Sequence, residues 1–377
     1  MMRAILPPAM LGILGGGQLG RMFVTAAKRM GYRVTVLDPD ANAPAADFAD
    51  VHLCAPFDDA EALKTLAASC AAVTTEFENV NADAMRQLAA STRVSPSGDC
   101  VAIAQNRIAE KSWVHKAGLP TAPYLAVEQA GDLAGDLTDY LPGILKTARL
   151  GYDGKGQQRV KTADEARAAF AQQGGEACVL EKMLDLKLEV SAIVTRVSTA
   201  QVAVFPVAEN IHKDGILDES IVPARIAPEL AARVQQYALQ LAEALDYVGV
   251  LAVEFFVLGD DSLVVNEIAP RPHNSGHYTI DACVTDQYQQ QVRAMCGLLP
   301  GKTELLSPIV MVNLLGDVWA EDGGEPNWAV LMEAPNAHLH LYGKKEARPG
   351  RKMGHYCVLA ANVDAALEQA RALKDTL

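Results

Sequence analysis

Short apolar runs alternate with amphipathic stretches along the first part of the chain. The runs 10–14, 33–37 and 71–75 have the length of buried strands, and the stretches 21–30 and 61–68 have helical spacing. Alternation of this kind is typical of a doubly wound α/β domain, whose ligands bind beyond the carboxyl ends of its strands. The pattern therefore predicts such a domain over residues 1–98.

A second region combines strands with longer helices. Its pattern predicts helices over 100–117, 228–245 and 281–297, and a strand over 179–181 that enters a hinge between two lobes. After it, strands over 309–314 and 338–342 and a closing helix over 362–373 predict a small β-rich domain. We therefore expect three domains, over residues 1–98, 99–300 and 301–377.

Two acids end neighbouring apolar strands in the second region. Glu254 closes the run 250–253, Glu267 follows the run 263–265, and a turn at 259–261 allows a hairpin that brings them together. Carboxylates placed in this way suit Mg²⁺ held partly by nucleotide phosphates, although two solvated strand-end acids are the simpler interpretation. Four further polar residues follow closely: Asn266, Arg271, His273 and Asn274. So many convergent polar groups rarely lack a ligand, which favours a binding site.

A glycine-rich turn follows a predicted strand that ends at Lys146. Its residues are Gly151, Tyr152, Asp153, Gly154, Lys155, Gly156 and Gln157. Glycines let the backbone approach an anion closely and point N–H groups at phosphate oxygens. The turn is not a Walker loop, since no G-K-[ST] ends it, and taken alone it fits a plain hairpin equally well.

A second glycine loop raises a different hypothesis. Gly15–Gly20 fits G-x-G-x-x-G, and Asp38 lies at the end of the next predicted strand. This is a dinucleotide-binding fingerprint, so it favours an NAD-dependent dehydrogenase. That hypothesis explains the first domain and nothing after it.

The overall charge limits the classes of partner. A net charge of −13 argues against nucleic-acid binding, which needs a basic surface. Basic residues nevertheless cluster locally at Lys344, Lys345, Arg348, Arg351 and Lys352. The seven cysteines have no C-x-x-C spacing, which suggests thiols in a reducing cytoplasm, and no apolar run approaches the roughly 18 residues of a membrane span.

The order of the motifs resembles that of the ATP-grasp ligases. Lys146, the glycine-rich turn, residues 181–184, Glu189, Glu254 and Glu267 follow one another as in that superfamily. Within it, T-T-E-F-E-N-V (74–80), Q-N-R-I-A-E-K (105–111), G-Y-D-G-K-G-Q (151–157), A-P-R-P-H-N-S-G-H (269–277) and R-x-G-R-K-M-G-H (348–355) resemble the N5-carboxyaminoimidazole ribonucleotide synthetases. Leu150 departs from the pattern, because that family usually has glycine there.

The resemblance implies a fold and an activity. It implies an α/β and α+β protein with an ATP-grasp fold, an N-terminal doubly wound pre-ATP-grasp domain and a small C-terminal β-rich domain. The enzyme would be a cytoplasmic, Mg²⁺-dependent, homodimeric ligase of purine biosynthesis. It would phosphorylate bicarbonate with ATP and transfer the carboxyl group of carboxyphosphate to 5-aminoimidazole ribonucleotide. A formate-dependent glycinamide ribonucleotide transformylase shares the framework and is the main alternative, but its motifs differ at P-H-N-S-G-H.

The resemblance also implies residue roles. ATP would contact Arg107, Lys146, the turn Gly151–Gln157, the hinge residues Glu181, Lys182, Met183 and Leu184, and Glu189, His212, Asn266 and Glu267. The ribonucleotide would contact Gln18, Leu19, Glu76, Tyr152, Asp153, Asn274, Lys344, Arg351 and Lys352. Glu254 and Glu267 would hold Mg²⁺. Arg271 and His273 would act as cations around carboxyphosphate, with Lys352 as a third catalytic residue.

Overall fold

A parallel sheet forms the first part of the protein, whose computed structural model describes residues 3–151, 156–319 and 324–377. Its strands are β1 (Met10–Leu14), β2 (Arg33–Leu37), β3 (Val51–Leu53), β4 (Ala72–Thr75) and β5 (Arg93–Val94), in the order β3-β2-β1-β4-β5. Helices α1 (Gln18–Arg29), α2 (Ala60–Ser69) and α3 (Ala82–Ala89) connect strands. The parallel order confirms the doubly wound prediction, and α1 begins earlier than its apolar spacing indicated.

The single helix predicted over 100–117 is wrong. The segment forms two helices, α4 (Gly98–Ala104) and α5 (Arg107–Lys116). Asn106 between them is extended, and its Oδ1 accepts hydrogen bonds from the N–H groups of Ile108 (2.9 Å) and Ala109 (3.3 Å). An asparagine in this role starts a new helix, so α5 begins at Arg107.

A small antiparallel sheet forms one lobe of the site. Its strands are β6 (Tyr124–Val127), β7 (Gly143–Thr147), β8 (Gln157–Val160) and β9 (Cys178–Lys182), in the order β6-β9-β7-β8. Helix α6 (Ala163–Gln172) covers it through Ala166, Ala169 and Phe170, which pack on Leu145 and Leu180. The strand predicted at 179–181 is confirmed as the core of β9.

A nine-stranded sheet forms the second lobe and continues to the C-terminal region. Its strands are β10 (Leu186–Ser198), β11 (Gln201–Val204), β12 (Ala208–Lys213), β13 (Ile216–Val222), β14 (Gly249–Leu258), β15 (Leu263–Ala269), β16 (Ile309–Leu315), β17 (Ala337–Leu341) and β18 (Lys352–Leu359). The order is β15-β14-β10-β12-β13-β16-β18-β17, with β11 paired to β10. The C-terminal strands were expected to form a domain of their own, but their hydrogen bonding extends the central sheet. The domain boundaries themselves stay predictions.

Helices cover this sheet and join it to the first one. Helix α7 (Pro228–Ala244), as predicted, packs its apolar face on β10 and β14. The helix predicted over 281–297 is wrong, because α8 (Thr279–Ala282) ends early and Asp286 caps a separate α9 (Gln287–Met295). Tyr288 and Val292 of α9 share one apolar cluster with Phe23 of α1, so the first sheet is attached firmly to the second lobe.

Two further helices complete the described chain, α10 (Ala329–Glu333) and α11 (Val363–Lys374), the second of which confirms the predicted closing helix. Across the described ranges, every helix lacks the combination of length and apolarity that a membrane crossing requires.

Candidate active site

One cleft collects side chains from all three sheets. It has a volume of about 620 Å³ and opens at the carboxyl ends of β1 and β4, facing β7, β14 and β15. Sixteen of the predicted site residues line it: Gln18, Leu19, Glu76, Arg107, Lys146, Gln157, Glu189, His212, Glu254, Asn266, Glu267, Arg271, His273, Asn274, Lys344 and Lys352. Motifs far apart in the sequence therefore meet in one place.

Several predicted residues lie elsewhere. Lys182 lines a separate open pocket beside Tyr124 and Tyr140, because successive side chains of β9 point to opposite faces of the sheet. The side chain of Met183 is exposed. Also outside the cleft lining are Gly151, Gly156, Glu181, Leu184 and Arg351, while Tyr152, Asp153, Gly154 and Lys155 lie outside the described residues. The guanidinium of Arg351 donates to the carbonyl of Glu346 (2.8 Å), within the basic turn formed by residues 344–352.

The two acids predicted from the hairpin are register partners. Glu254 on β14 lies opposite Glu267 on β15, and Nη1 of Arg107 lies 3.2 Å from Oε2 of Glu267. Burial raises the pKa of Glu254 to about 7; His212 opposes this rise, and repulsion from Glu267 adds to it. Strand pairing thus holds two like charges together at a place where a bound cation would relieve their repulsion.

A buried carboxylate holds Lys146 on the opposite lobe. Nζ of Lys146 lies 2.9 Å from Oε2 of Glu181, and Nζ of Lys111 lies 3.1 Å from Oε1 of the same residue. Burial alone would raise the pKa of Glu181, but the two ammonium groups outweigh it and lower the pKa to about 2. The side chain of Glu181 is therefore ionised and anchors Lys146.

Glu189 and His212 form a pair on the wall of the large sheet. Nδ1 of His212 lies 3.0 Å from Oε2 of Glu189. Burial would lower the pKa of His212, but the contact with Glu189 raises it above its ordinary value. The carboxylate keeps lone pairs directed at the cleft, as a group that accepts from ribose hydroxyls requires.

Arg271 is held by an acid from the first sheet. Its Nε donates to Oε2 of Glu78, and its Nη1 donates to the carbonyl of Pro272 (3.1 Å). Although burial raises the pKa of Glu78, the positive charge of Arg271 lowers it below its usual range. Arg271 is thus a fixed cation in the cleft wall.

The surroundings of His273 disfavour the cationic role expected for it. Burial, followed by the charges of Arg271 and Lys352, holds the pKa of His273 well below its ordinary value. Its Nε2 lies 3.7 Å from Oε1 of Glu254, too far for a hydrogen bond. The sequence showed the polar neighbours of His273 but not the arginine and lysine that surround it.

A buried chain of polar groups orients the His273 ring. The backbone N–H of Ser275 donates to Nδ1 of His273 (3.3 Å), so Nε2 carries the proton. The Ser275 hydroxyl lies 2.9 Å from the same Nδ1 and accepts from the hydroxyl of Ser191 (2.9 Å). Asn210 donates to Ser191 (2.9 Å) and accepts from Ser220 (2.9 Å). The cleft therefore receives an uncharged N–H donor.

Asn274 presents an unsatisfied amide to the cleft. It is 6% exposed, and neither Oδ1 nor Nδ2 has a hydrogen-bond partner among the described residues. Buried polar atoms without partners are costly in a folded protein. An amide in this state is suited to a polar ligand.

The basic turn reaches the cleft through its two ends. Nζ of Lys344 donates to Oε1 of Gln18 and to the carbonyl of Lys352 (2.7 Å). Both lysines line the cleft, and Lys344 contacts Gln18 at the start of α1. Cations gathered here suit a small anionic group.

The glycine loop binds an internal acid. The N–H groups of Gly17 and Gly20 each donate to a carboxylate oxygen of Glu76 (2.6 Å). Burial raises the pKa of Glu76 to about 7 against the lowering effect of these two donors. A Cβ at Gly17 or Gly20 would overlap Glu76 or the backbone of Gly15, which explains the glycines without a dinucleotide.

Three family models match consecutive parts of the chain. They are a ribonucleotide synthetase preATP-grasp domain over residues 9–105, an ATP-grasp domain over 112–288, and a phosphoribosylaminoimidazole carboxylase C-terminal domain over 309–369. The N5-carboxyaminoimidazole ribonucleotide synthase of Bacillus subtilis is 45% identical over 93% of this chain and 91% of its own length. That of Brucella melitensis is 47% identical over 93% and 96%. The chain belongs to the N5-carboxyaminoimidazole ribonucleotide synthase family.

Solved structures of synthases agree. An ADP complex has a TM-score of 0.92 with 44% identity, covering 99% of this chain and 98% of the other. An Aspergillus clavatus synthase in complex with ADP and 5-aminoimidazole ribonucleotide has a TM-score of 0.89 with 33% identity, covering 98% of each. The predicted ATP-grasp fold and ligase class are confirmed, and the synthase family is favoured over the transformylase.

Leu150 adopts a backbone conformation that is strained for leucine and would be unstrained for glycine. Its φ is 60°, in the left-handed region, and its side chain is 73% exposed. A residue with a Cβ is disfavoured there by roughly 1–2 kcal/mol. The next residue, Gly151, accepts from Nη2 of Arg107 (3.1 Å), so the strained position adjoins a contact of the cleft.

Sequence reasoning missed three charged residues that shape the synthase cleft. Glu78 pairs with Arg271, Glu110 accepts from the backbone N–H of Ile268, and Lys111 pairs with Glu181. All three lie inside motifs that the sequence analysis matched, 74–80 and 105–111. The two motifs could have indicated that these residues matter, but the partner of each residue depends on the fold.

NAD should not bind this synthase. The carboxylate of Asp38 accepts from the N–H of Gly16 (2.7 Å), and Glu76 already occupies the donors that a pyrophosphate would use. In calorimetric titration we expect no NAD binding in the micromolar range, with ADP as the positive control. Micromolar NAD affinity would contradict this account of the glycine loop.

Proposed function

We propose that this chain uses ATP and bicarbonate to carboxylate 5-aminoimidazole ribonucleotide, giving N5-carboxyaminoimidazole ribonucleotide, ADP and phosphate. The supporting observation is one cleft whose lining combines Lys146 and Glu267 with Gln18 and Lys352. Arg271 interacts electrostatically with Glu267 as well as Glu76. A relative has been solved with ADP and the ribonucleotide together.

ATP would lie between the two lobes. Arg107 and Lys146 would bind its phosphates, the backbone of residues 181–184 would receive the adenine, and Glu189 would accept from the ribose. The exposed Met183 and the separate position of Lys182 are compatible with this, because a hinge binds adenine through its main chain. Gly151–Gln157 would contribute backbone N–H groups, and Tyr152 and Asp153 are proposed to contact the ribonucleotide.

The acids fit Mg²⁺ bound jointly with ATP. Glu254 and Glu267 offer hard oxygen atoms, with Asn266 beside them, and their mutual repulsion favours a cation. Within the described ranges, no group of three or more histidine, cysteine or acidic side chains is arranged to hold a metal. Two carboxylates match an ion whose other ligands come from phosphates and water. When bound, Mg²⁺ would neutralise charge on the transferred phosphoryl group.

In the first step an oxygen of bicarbonate attacks the γ-phosphorus of ATP, and the bond from that phosphorus to ADP breaks. The product, carboxyphosphate, is an anion that water would destroy. Arg271 would stabilise it as a fixed charge, and His273 would donate from Nε2 as a neutral group. Such preorganised donors act most strongly where water is excluded.

In the second step the exocyclic amine of the ribonucleotide attacks the carboxyl carbon. The bond from that carbon to the phosphate oxygen breaks, phosphate leaves, and the nitrogen loses a proton. Asn274 would orient the ribonucleotide or the carboxyl group. Lys352 would stabilise the departing phosphate and would also bind the ribonucleotide, together with Gln18, Leu19, Glu76 and Lys344. A homodimer and a cytoplasmic location remain predictions of the family resemblance.

ATP turnover should depend on Mg²⁺, bicarbonate and 5-aminoimidazole ribonucleotide together. Bicarbonate and the ribonucleotide would both react in the cleft, so omission of either should leave only slow ADP release. Labelled bicarbonate should place its label in an acid-labile carbamate. Equal turnover with formate and glycinamide ribonucleotide would overturn the proposal.

Glu267→Gln should lower turnover by about a hundredfold or more, because one oxygen ligand of the proposed Mg²⁺ loses its charge. Steady-state ADP release at saturating Mg²⁺ measures this, with thermal unfolding to verify the fold. Asp260→Asn is the matched control, since that acid is exposed in the turn of the same hairpin. Turnover within a few-fold of the unmodified protein would mean that Glu267 is not a metal ligand.

Lys352→Ala should weaken ribonucleotide binding by about ten- to a hundredfold and leave ATP binding intact, because it removes a charged hydrogen bond to phosphate. Arg351→Ala tests whether that side chain, which bonds to Glu346 here, also joins the site. Arg348→Ala is the control, since Arg348 is exposed on the same turn. Steady-state kinetics against each substrate separates a loss in KM from a loss in kcat. Normal kinetics for both variants would place the phosphate site elsewhere.

A further inference from the structure

Lys111 is a buried lysine that does not line the cleft. It lies on α5 and is 2% exposed, with its Nζ beside Glu181 and 5.8 Å from the ring centre of Tyr124. Burying an ammonium group is expensive unless it is paired. The proposed reaction does not use Lys111 directly, so its presence requires another explanation.

Glu181 lies between two lysines with different surroundings. Lys111 is enclosed, whereas the side chain of Lys146 is 13% exposed and reaches the cleft. The register of β9 fixes Glu181 between Tyr124 of β6 and Ile144 of β7. The carboxylate therefore cannot turn toward one lysine without leaving the other.

The net charge of Lys111, Glu181 and Lys146 together determines the charge that an anion meets in the cleft. Two ammonium groups and one carboxylate leave one excess positive charge. Nearby, Arg107 is paired with Glu267 (3.2 Å), and Glu110 accepts from the backbone N–H of Ile268, so both are engaged outside this group. With Lys111 removed, Lys146 and Glu181 would neutralise each other, and phosphate would meet no net charge.

We propose that Lys111 is a positioning residue for the nucleotide. It neutralises the negative charge of Glu181 from outside the cleft, so that the positive charge of Lys146 is available to phosphates in the cleft. Glu181 holds Lys146 in place, and Lys111 prevents that contact from cancelling its charge. The inference rests on the proposed function only in assigning Lys146 to nucleotide phosphates.

Lys111→Met tests the charge balance with a side chain of similar length. We expect ADP to bind about tenfold more weakly in calorimetric titration, because an unscreened charged contact to phosphate is lost. Adenosine, which lacks phosphates, should bind as before. Lys116→Met is the control, since Lys116 is exposed on the same helix. Lys111→Met that binds ADP normally, or that loses ADP and adenosine equally, overturns the proposal.

The double variant Lys111→Met, Glu181→Gln restores the balance by removing one charge of each sign. The amide oxygen of the glutamine can still accept from Nζ of Lys146, so Lys146 stays in place and is again an uncompensated cation. ADP affinity should therefore return to within about threefold of the unmodified protein. If Lys111→Met does not fold, the double variant decides alone: ADP affinity near normal supports the proposal, and affinity about tenfold weaker refutes it.

These measurements omit bicarbonate and the ribonucleotide. A protein that binds ADP as described but does not carboxylate the ribonucleotide would refute the proposed function and leave the role of Lys111 standing. The reverse outcome, carboxylation with an ADP affinity insensitive to Lys111, would refute this inference alone.

Discussion

Charge held away from water must be paired, and this requirement organises the cleft. Glu181 is ionised inside the protein because two lysines contact it, and Arg271 is fixed because Glu78 does. Glu76 receives hydrogen bonds from two backbone N–H groups. An isolated buried charge would cost several kcal/mol or lose its ionisation. The pairs therefore determine which side chains can remain charged when substrates arrive.

The same pairs connect the lobes. Arg107, Glu110 and Lys111 follow the spacing i, i+3, i+4 and lie on one face of α5. The first two contact β15, and the third contacts β9 through Glu181. One turn of helix thus links the sheet that carries Lys146 to the sheet that carries the paired acids. A shift of either sheet would have to break one of these contacts.

The sequence predicted the parts of the site that depend on local order. Glu254 and Glu267 were expected to face each other because strand alternation and a short turn define a hairpin, and they are register partners. The pairing of Arg271 with Glu78 could not be predicted in this way, since no local pattern relates positions 193 residues apart. The arginine and lysine that lower the pKa of His273 were not predictable for the same reason. Helix breaks at Asn106 and Asp286 were missed because a capping side chain outweighed the apolar period.

The glycine loop shows how one local motif can serve a different ligand. Its fingerprint, with Asp38 after the second strand, matches a dinucleotide site, and the helix N-terminus it forms does attract an anion. Here that anion is the carboxylate of Glu76, supplied by β4 of the same sheet. The glycines are required by the close approach of this side chain, so they follow from packing alone. A motif defines the kind of charge that binds, whereas the neighbouring strand determines whether the site is left open to a substrate.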